Sequence, residues 1–147
     1  MSAPQADTGG RTASGPGRAL VAVYGVLAVA ATFRSGVQVL RDFGAAPVAY
    51  SLSAFAAVVY VVATLALARA GGRARRVAWV AVGIEAVGVL VVGTLSVVRP
   101  DLFPDATVWS AFGAGYGFVP LVLPALGLWW LARGRGGRPA PAERPDR

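Results

Sequence analysis

The chain contains no cysteine, histidine, lysine or asparagine in its 147 residues. Without cysteine there is no disulfide, thiolate nucleophile or cysteine metal site. Without histidine the commonest general base and metal ligand is missing. Charge is scarce as well: 14% of residues are charged, against about 25% in an ordinary soluble domain. What replaces them is apolar. Hydrophobic residues make up 56% of the chain, too much for the core of one small domain, so the excess is surface that faces lipid. The bias toward Ala, Val, Gly and Arg is that of a GC-rich genome, and single choices among these residues carry little information. All 14 basic residues are arginine, and the net charge is +7. The arginines mark the ends of apolar segments, which is a membrane pattern and excludes a nucleic-acid partner.

The charge pattern predicts an all-α fold, a four-helix transmembrane bundle with up-down topology and both termini cytoplasmic. Residues 1–17 and 134–147 are rich in Gly, Pro and Arg and read as disordered cytoplasmic tails. Residues 18–133 form the membrane domain, with helices at about 19–40, 47–68, 77–98 and 106–132. Each of the last three is long enough to cross about 30 Å of hydrocarbon. The first is less obvious. The roughly 15 uncharged residues between Arg18 and Arg34 span only about 22 Å, so the helix is expected to run through Arg34 to Leu40, the guanidinium reaching toward headgroups. A signal peptide cut after Ala30 is the rival reading; three further spans and an uninterrupted apolar run argue against it.

Orientation follows from counting arginines. Arg11, Arg18, Arg69, Arg73, Arg75, Arg76, Arg133, Arg135, Arg138, Arg144 and Arg147 collect on one side, against Asp7, Glu143 and Asp146. Arg34, Arg41 and Arg99 on the other side are balanced by Asp42, Asp101 and Asp105. The arginine-rich side is therefore cytoplasmic, and the bacterial plasma membrane is the expected location. The arginine cluster at residues 73–76 is a topology signal, with attraction to anionic lipid as the functional alternative. Trp79, Trp129 and Trp130 are expected at the inner interface, and Tyr50 and Trp109 at the outer one. Two hairpins with similar ends, Leu67-Ala68-Arg69 and Leu131-Ala132-Arg133, raise a parallel internal repeat that chance in this composition explains equally well.

Chemistry has few places to reside. Glu85 is the lone acid within a span, about 12 Å above the inner edge of the third helix. Ala81, Gly88 and Val92 share its face, while Val80, Ile84, Val87 and Val91 cover the opposite one, so Glu85 should face the bundle. It is either a proton- or cation-binding carboxyl or a hydrogen-bonded side chain that only fixes packing. Arg34 and Gln38 form a polar stripe with Arg41 in the outer half of the first helix. Ala28, Thr32 and Gly36 form a small-residue stripe on its other side; if that stripe packs, Arg34 points to headgroups. In the fourth helix Gly113 and Gly117 match the spacing for close helix approach. Pro120 and Pro124 should kink this helix and free the carbonyls of Tyr116 and Pro120. Depth counting places Tyr60 and Pro124 level with Glu85, and Tyr116 level with Arg34. The candidate ligand or proton site is thus Glu85, Tyr60, Arg34, Gln38, Tyr116, Pro120 and Pro124. No metal site is expected, since Asp101 and Asp105 alone make a poor one; Asp105 reads as a helix N-cap.

Three stretches resemble a group of uncharacterised four-span integral membrane proteins from high-GC actinobacteria: Arg34-Ser35-Gly36-Val37-Gln38, residues Asp101 to Trp109, and residues Gly115 to Pro124. The similarity would cover about Ala19 to Ala132 and implies no activity. The leading functional expectation is a non-enzymatic membrane protein without cofactor, either an accessory subunit or a bundle that binds a lipid or apolar ligand. The alternative is a small oligomeric transporter with Glu85 as the proton- or cation-coupling residue. Expected partners are the lipid bilayer and either a second copy or another membrane protein. An enzyme ranks third, because nothing here supplies a nucleophile with a base.

Overall fold

A computed structural model describes residues 15–134; the expected tails lie outside these residues except for Gly15, Pro16, Gly17 and Gly134. Among the described residues the fold is all-α, with no strand. α1 spans Pro16–Asp42, α2 Pro47–Ala68, α3 Gly72–Val98 and α4 Val119–Arg133. Short 3-10 turns cover Phe43–Ala45 and Pro100–Leu102, and a 3-10 segment covers Ser110–Tyr116. α1 packs on α2, α2 on α3, α3 on α4, and α4 returns to α1, closing the bundle. Three helices are long and apolar enough to cross a membrane, and the broken fourth element makes a further span if counted as one.

Local sequence explains most boundaries. Pro16 and Pro47 open α1 and α2 at positions where a missing N–H costs nothing. α1 therefore starts before Arg18, and Pro16 and Gly17 belong to the helix rather than to a disordered tail. Gly17 is needed there, because a Cβ would meet the Trp130 ring at 2.9 Å. Gly71, at φ 117°, makes the turn between α2 and α3. α3 begins at Gly72 rather than Val77, so the 73–76 arginines lie on helix and not in a loop. Arg75 uses that position to donate to the Leu131 carbonyl near the end of α4, where a cation also complements the helix dipole.

The stretch expected as the fourth helix departs most from expectation. It is not a kinked helix over 106–132. Residues 106–109 are non-helical, and the Ser110–Tyr116 segment meets α4 at 99°. The break comes from backbone handedness. Ala111, Phe112 and Gly113 have φ of 47°, 59° and 79°, and Gly117 and Phe118 have 62° and 61°. Gly113 and Gly117 thus serve as turn residues and not as a helix-packing pair. Pro120 lies in the first turn of α4 and breaks no bond there, whereas Pro124 is inside the helix. Asp105 Oδ1 does accept the Ala106 N–H at 2.9 Å, but it caps a turn and no α-helix follows.

The segment before α4 folds into the bundle. Trp109, expected at the outer interface, is 1% exposed. Gly88 makes room for its ring, since a Cβ there would lie 2.6 Å from it. Gly93 does the same for Phe112, and Ser96 Oγ accepts the Ala111 N–H at 2.8 Å. α3 is therefore notched where the broken element inserts.

Candidate functional site

On α3 the buried face carries Ala81, Val82, Glu85, Val89 and Val92, and the Val80, Ile84, Val87 and Val91 face is exposed. Glu85 itself is 0% exposed. The division between a small-residue face and a branched face was readable in the sequence, and Glu85 points into the bundle as that division requires.

Two tyrosines surround the carboxyl. The Tyr24 hydroxyl of α1 donates to Glu85 Oε2 at 2.6 Å. Tyr60 of α2 lies alongside, its ring centroid 6.3 Å from that of Tyr24. The Tyr60 oxygen accepts the Trp109 indole N–H at 3.0 Å, and Phe55 meets the Trp109 ring edge-on. Glu85 Oε1 is buried with no hydrogen-bond partner. No cation stands against the carboxyl, for the ion pair of the described residues is Arg99–Asp101. A proton on Oε1 is compatible with the Tyr24 bond to Oε2, so the site can hold one proton without rearranging. Gly127 of α4 permits this closeness, because a Cβ there would lie 3.2 Å from the Tyr24 hydroxyl.

A second polar cluster forms at the end of the bundle that carries Arg99 and Asp105. Of the Ala28, Thr32, Gly36 stripe only Ala28 packs, since Thr32 and Gly36 are exposed. α1 instead buries Tyr24, Leu27, Ala28, Ala31 and Ser35, which turns Arg34 inward to donate to the Ala106 carbonyl at 3.0 Å. Asp105 Oδ2 accepts the Tyr50 hydroxyl at 3.0 Å and a longer contact from Gln38 at 3.4 Å. Arg34 Nε, Gln38 Oε1 and, on α2, Ser53 Oγ are buried without partners.

The candidate residues from the sequence thus separate into two groups. Glu85 and Tyr60 come together; Arg34 and Gln38 come together elsewhere. Tyr116 packs half-buried on the core, and Pro120 and Pro124 are buried in α4 without a hydrogen bond to Glu85. Tyr24 and Trp109 were missed as site residues. Tyr24 carried a usable signal: it is a hydroxyl on the buried stripe Leu20, Tyr24, Leu27, Ala31, Ser35 of α1. Among the described residues no three His, Cys, Asp or Glu side chains gather as metal ligands.

The remaining feature is a trough between α2 and α3. Three hollows of about 450, 390 and 660 Å³ lie along it. The first two share Val62 and Val77, and the last two share Phe55, Val80 and Ile84, so they are continuous. The first hollow is lined by Arg69 and Arg73, the middle one takes Arg76 beside its apolar residues, and the last is lined by Gly88 and Trp109. The same Trp109 bonds to Tyr60, so one indole borders both the trough and the carboxyl cluster.

No protein-family model, curated protein or solved structure matches this chain.

Proposed function

We propose that the chain is a non-enzymatic integral protein of the bacterial plasma membrane that binds a lipid or other apolar molecule along the α2–α3 trough. In this reading it crosses the membrane four times with both termini cytoplasmic, and it acts beside a membrane-protein partner or a second copy of itself. The continuous trough carries the reading. Its middle is aliphatic over Val58, Val62, Val80 and Ile84, and the notch at Gly88 gives it depth where Trp109 closes it. The resemblance to four-span actinobacterial proteins agrees in span number and adds no activity. Purification in mild detergent followed by native mass spectrometry tests the proposal. A retained apolar ligand is expected, and Val80→Trp, which fills the trough from an exposed wall position, should reduce its retention several-fold. Protein that emerges bare under conditions that preserve its fold would overturn the reading. Reporter fusions after Gly72 and Arg138 should read cytoplasmic and one at Asp101 external; the reverse pattern refutes the orientation.

A second reading makes Glu85 the proton- or cation-coupling group of a small oligomeric transporter. Its specific support is the unpartnered Glu85 Oε1 beside a broken span, since discontinuous helices line many transport sites. Reconstituted protein should then move substrate in a pH-dependent way, and Glu85→Gln should abolish that dependence with folding intact. Equal fluxes with and without the carboxyl would eliminate this reading.

A further inference from the structure

We infer that the occupant of the α2–α3 trough is an anionic phospholipid, with its phosphate held by Arg69, Arg73 and Arg76 and an acyl chain lying along the aliphatic wall toward Trp109. This rests on the reading of the trough as a binding surface and adds the charge of the headgroup to it. Arg69 and Arg73 line one hollow of the trough, and Arg76 lines the adjoining one. All three are exposed, and the ion pair among the described residues lies elsewhere, at Arg99–Asp101. Their neighbours at the same end are engaged: Arg75 donates to the Leu131 carbonyl, and Arg133 stacks over the Trp129 ring at 3.9 Å. The described acids are Asp42, Glu85, Asp101 and Asp105, and none is at this end of α2 or α3.

That charge distribution selects the headgroup. Guanidinium forks match phosphate oxygens in pairs. A zwitterionic lipid offers the same phosphate but brings an ammonium into a cluster of three cations with no described carboxylate to receive it. A lipid whose headgroup is a neutral alcohol on a phosphate carries no such penalty. The geometry suits the chain as well. From Arg69 to Phe55 α2 rises about 21 Å, enough to follow an acyl chain through its own half of a hydrocarbon layer about 30 Å thick. Along this path the walls present no acid and no amide, and the exposed branched residues of α3 leave the groove lined with methyl groups.

The experiment uses the full chain purified in mild detergent and presented with phosphatidylglycerol or phosphatidylcholine of identical acyl chains, with bound lipid counted by native mass spectrometry. At low salt phosphatidylglycerol should be retained about tenfold or more over phosphatidylcholine. The R69Q/R73Q/R76Q variant should lose that preference while still retaining lipid of either kind, because the aliphatic wall is untouched. High salt on the unaltered protein should erode the preference in the same way, which keeps the test decisive if the triple variant fails to fold. Equal retention of the two lipids at low salt, or a preference that survives both salt and the variant, overturns the headgroup assignment and leaves the trough reading standing. Retention of neither lipid overturns both.

Discussion

At the centre of the bundle Glu85 meets two tyrosines and no cation, whereas at the Arg99–Asp105 end Asp105 meets a tyrosine, a glutamine and the turn that Arg34 supports. The central carboxyl is 0% exposed and holds its one bond at 2.6 Å. The outer one is part-buried, and its bonds to side chains are longer, 3.0 and 3.4 Å. Distance from water decides between these designs. In the dry interior an unmatched polar atom forfeits its full solvation, so the groups there are few and tightly seated. The outer cluster leaves Arg34 Nε, Gln38 Oε1 and Ser53 Oγ without partners, and its side chains are held by longer contacts. The central cluster should therefore dominate stability and the outer one should tune it.

The comparison is tested most severely at Trp109. Trp109→Ala removes a buried indole and leaves Tyr60 without its donor; a loss of about 3–5 kcal/mol is expected. Trp109→Phe should recover most of it, with a deficit of about 1 kcal/mol for the absent hydrogen bond. Thermal melts in detergent read both, and an alanine variant as stable as its parent would mean that the inserted segment does not hold the bundle together.

Glu85 comes next. Glu85→Leu leaves the Tyr24 hydroxyl without an acceptor and should cost about 1–3 kcal/mol. Glu85→Gln keeps shape and an acceptor oxygen and should fold almost as well. A melting temperature raised by leucine would place this side chain against lipid and dissolve the contrast between the clusters. At the outer end Tyr50→Phe removes the donor to Asp105, and about 0.5–1.5 kcal/mol is the expected loss; a cost matching that of Glu85→Leu would show that the outer cluster is as dry as the inner one.

The smallest effect belongs to the exposed Arg99–Asp101 pair. The guanidinium donates to both carboxylate oxygens at 2.9 and 2.8 Å and holds the Asp101 carboxyl below its ordinary range. A carboxyl whose pKa is lowered by folding stabilises the fold above its unfolded value, near pH 4, and loses that contribution as pH falls through the lower folded value. Asp101→Asn should therefore differ slightly from the parent at neutral pH, and the gap should close in acid and in high salt. A gap that widens in acid would reverse the sign of this account.

Legibility followed the same division between regular and irregular backbone. α2 matched at both ends because Pro47 and the Arg69–Gly71 turn punctuate it. The inward direction of Glu85 followed from the exposed Val80, Ile84, Val87 and Val91 face of α3, while the burial of Val82 and Val89 did not follow from residue size. The fourth span did not, because spacing cannot reveal the sign of φ. Gly113 and Gly117 satisfy a helix-packing pattern and a left-handed turn equally well, and Ala111 and Phe112 adopt positive φ without any glycine to announce it. Trp109 looked like an interface residue because a sequence gives its distance from a charge but not the notch at Gly88 that receives it. Tyr24 escaped because depth was counted from arginines, while the helix that carries it begins at Pro16.

α4 has 15 residues, about 22 Å of helix, and falls short of a bilayer about 30 Å thick. The segment before it lies at 99° to α4, in a seat built from Gly88, Gly93 and Ser96 on α3 and Tyr60 on α2. The last hairpin is therefore not an autonomous unit of insertion. Its resting place exists only where α2 and α3 meet, so without that segment the faces at Gly88 and Gly93 are left as an open notch.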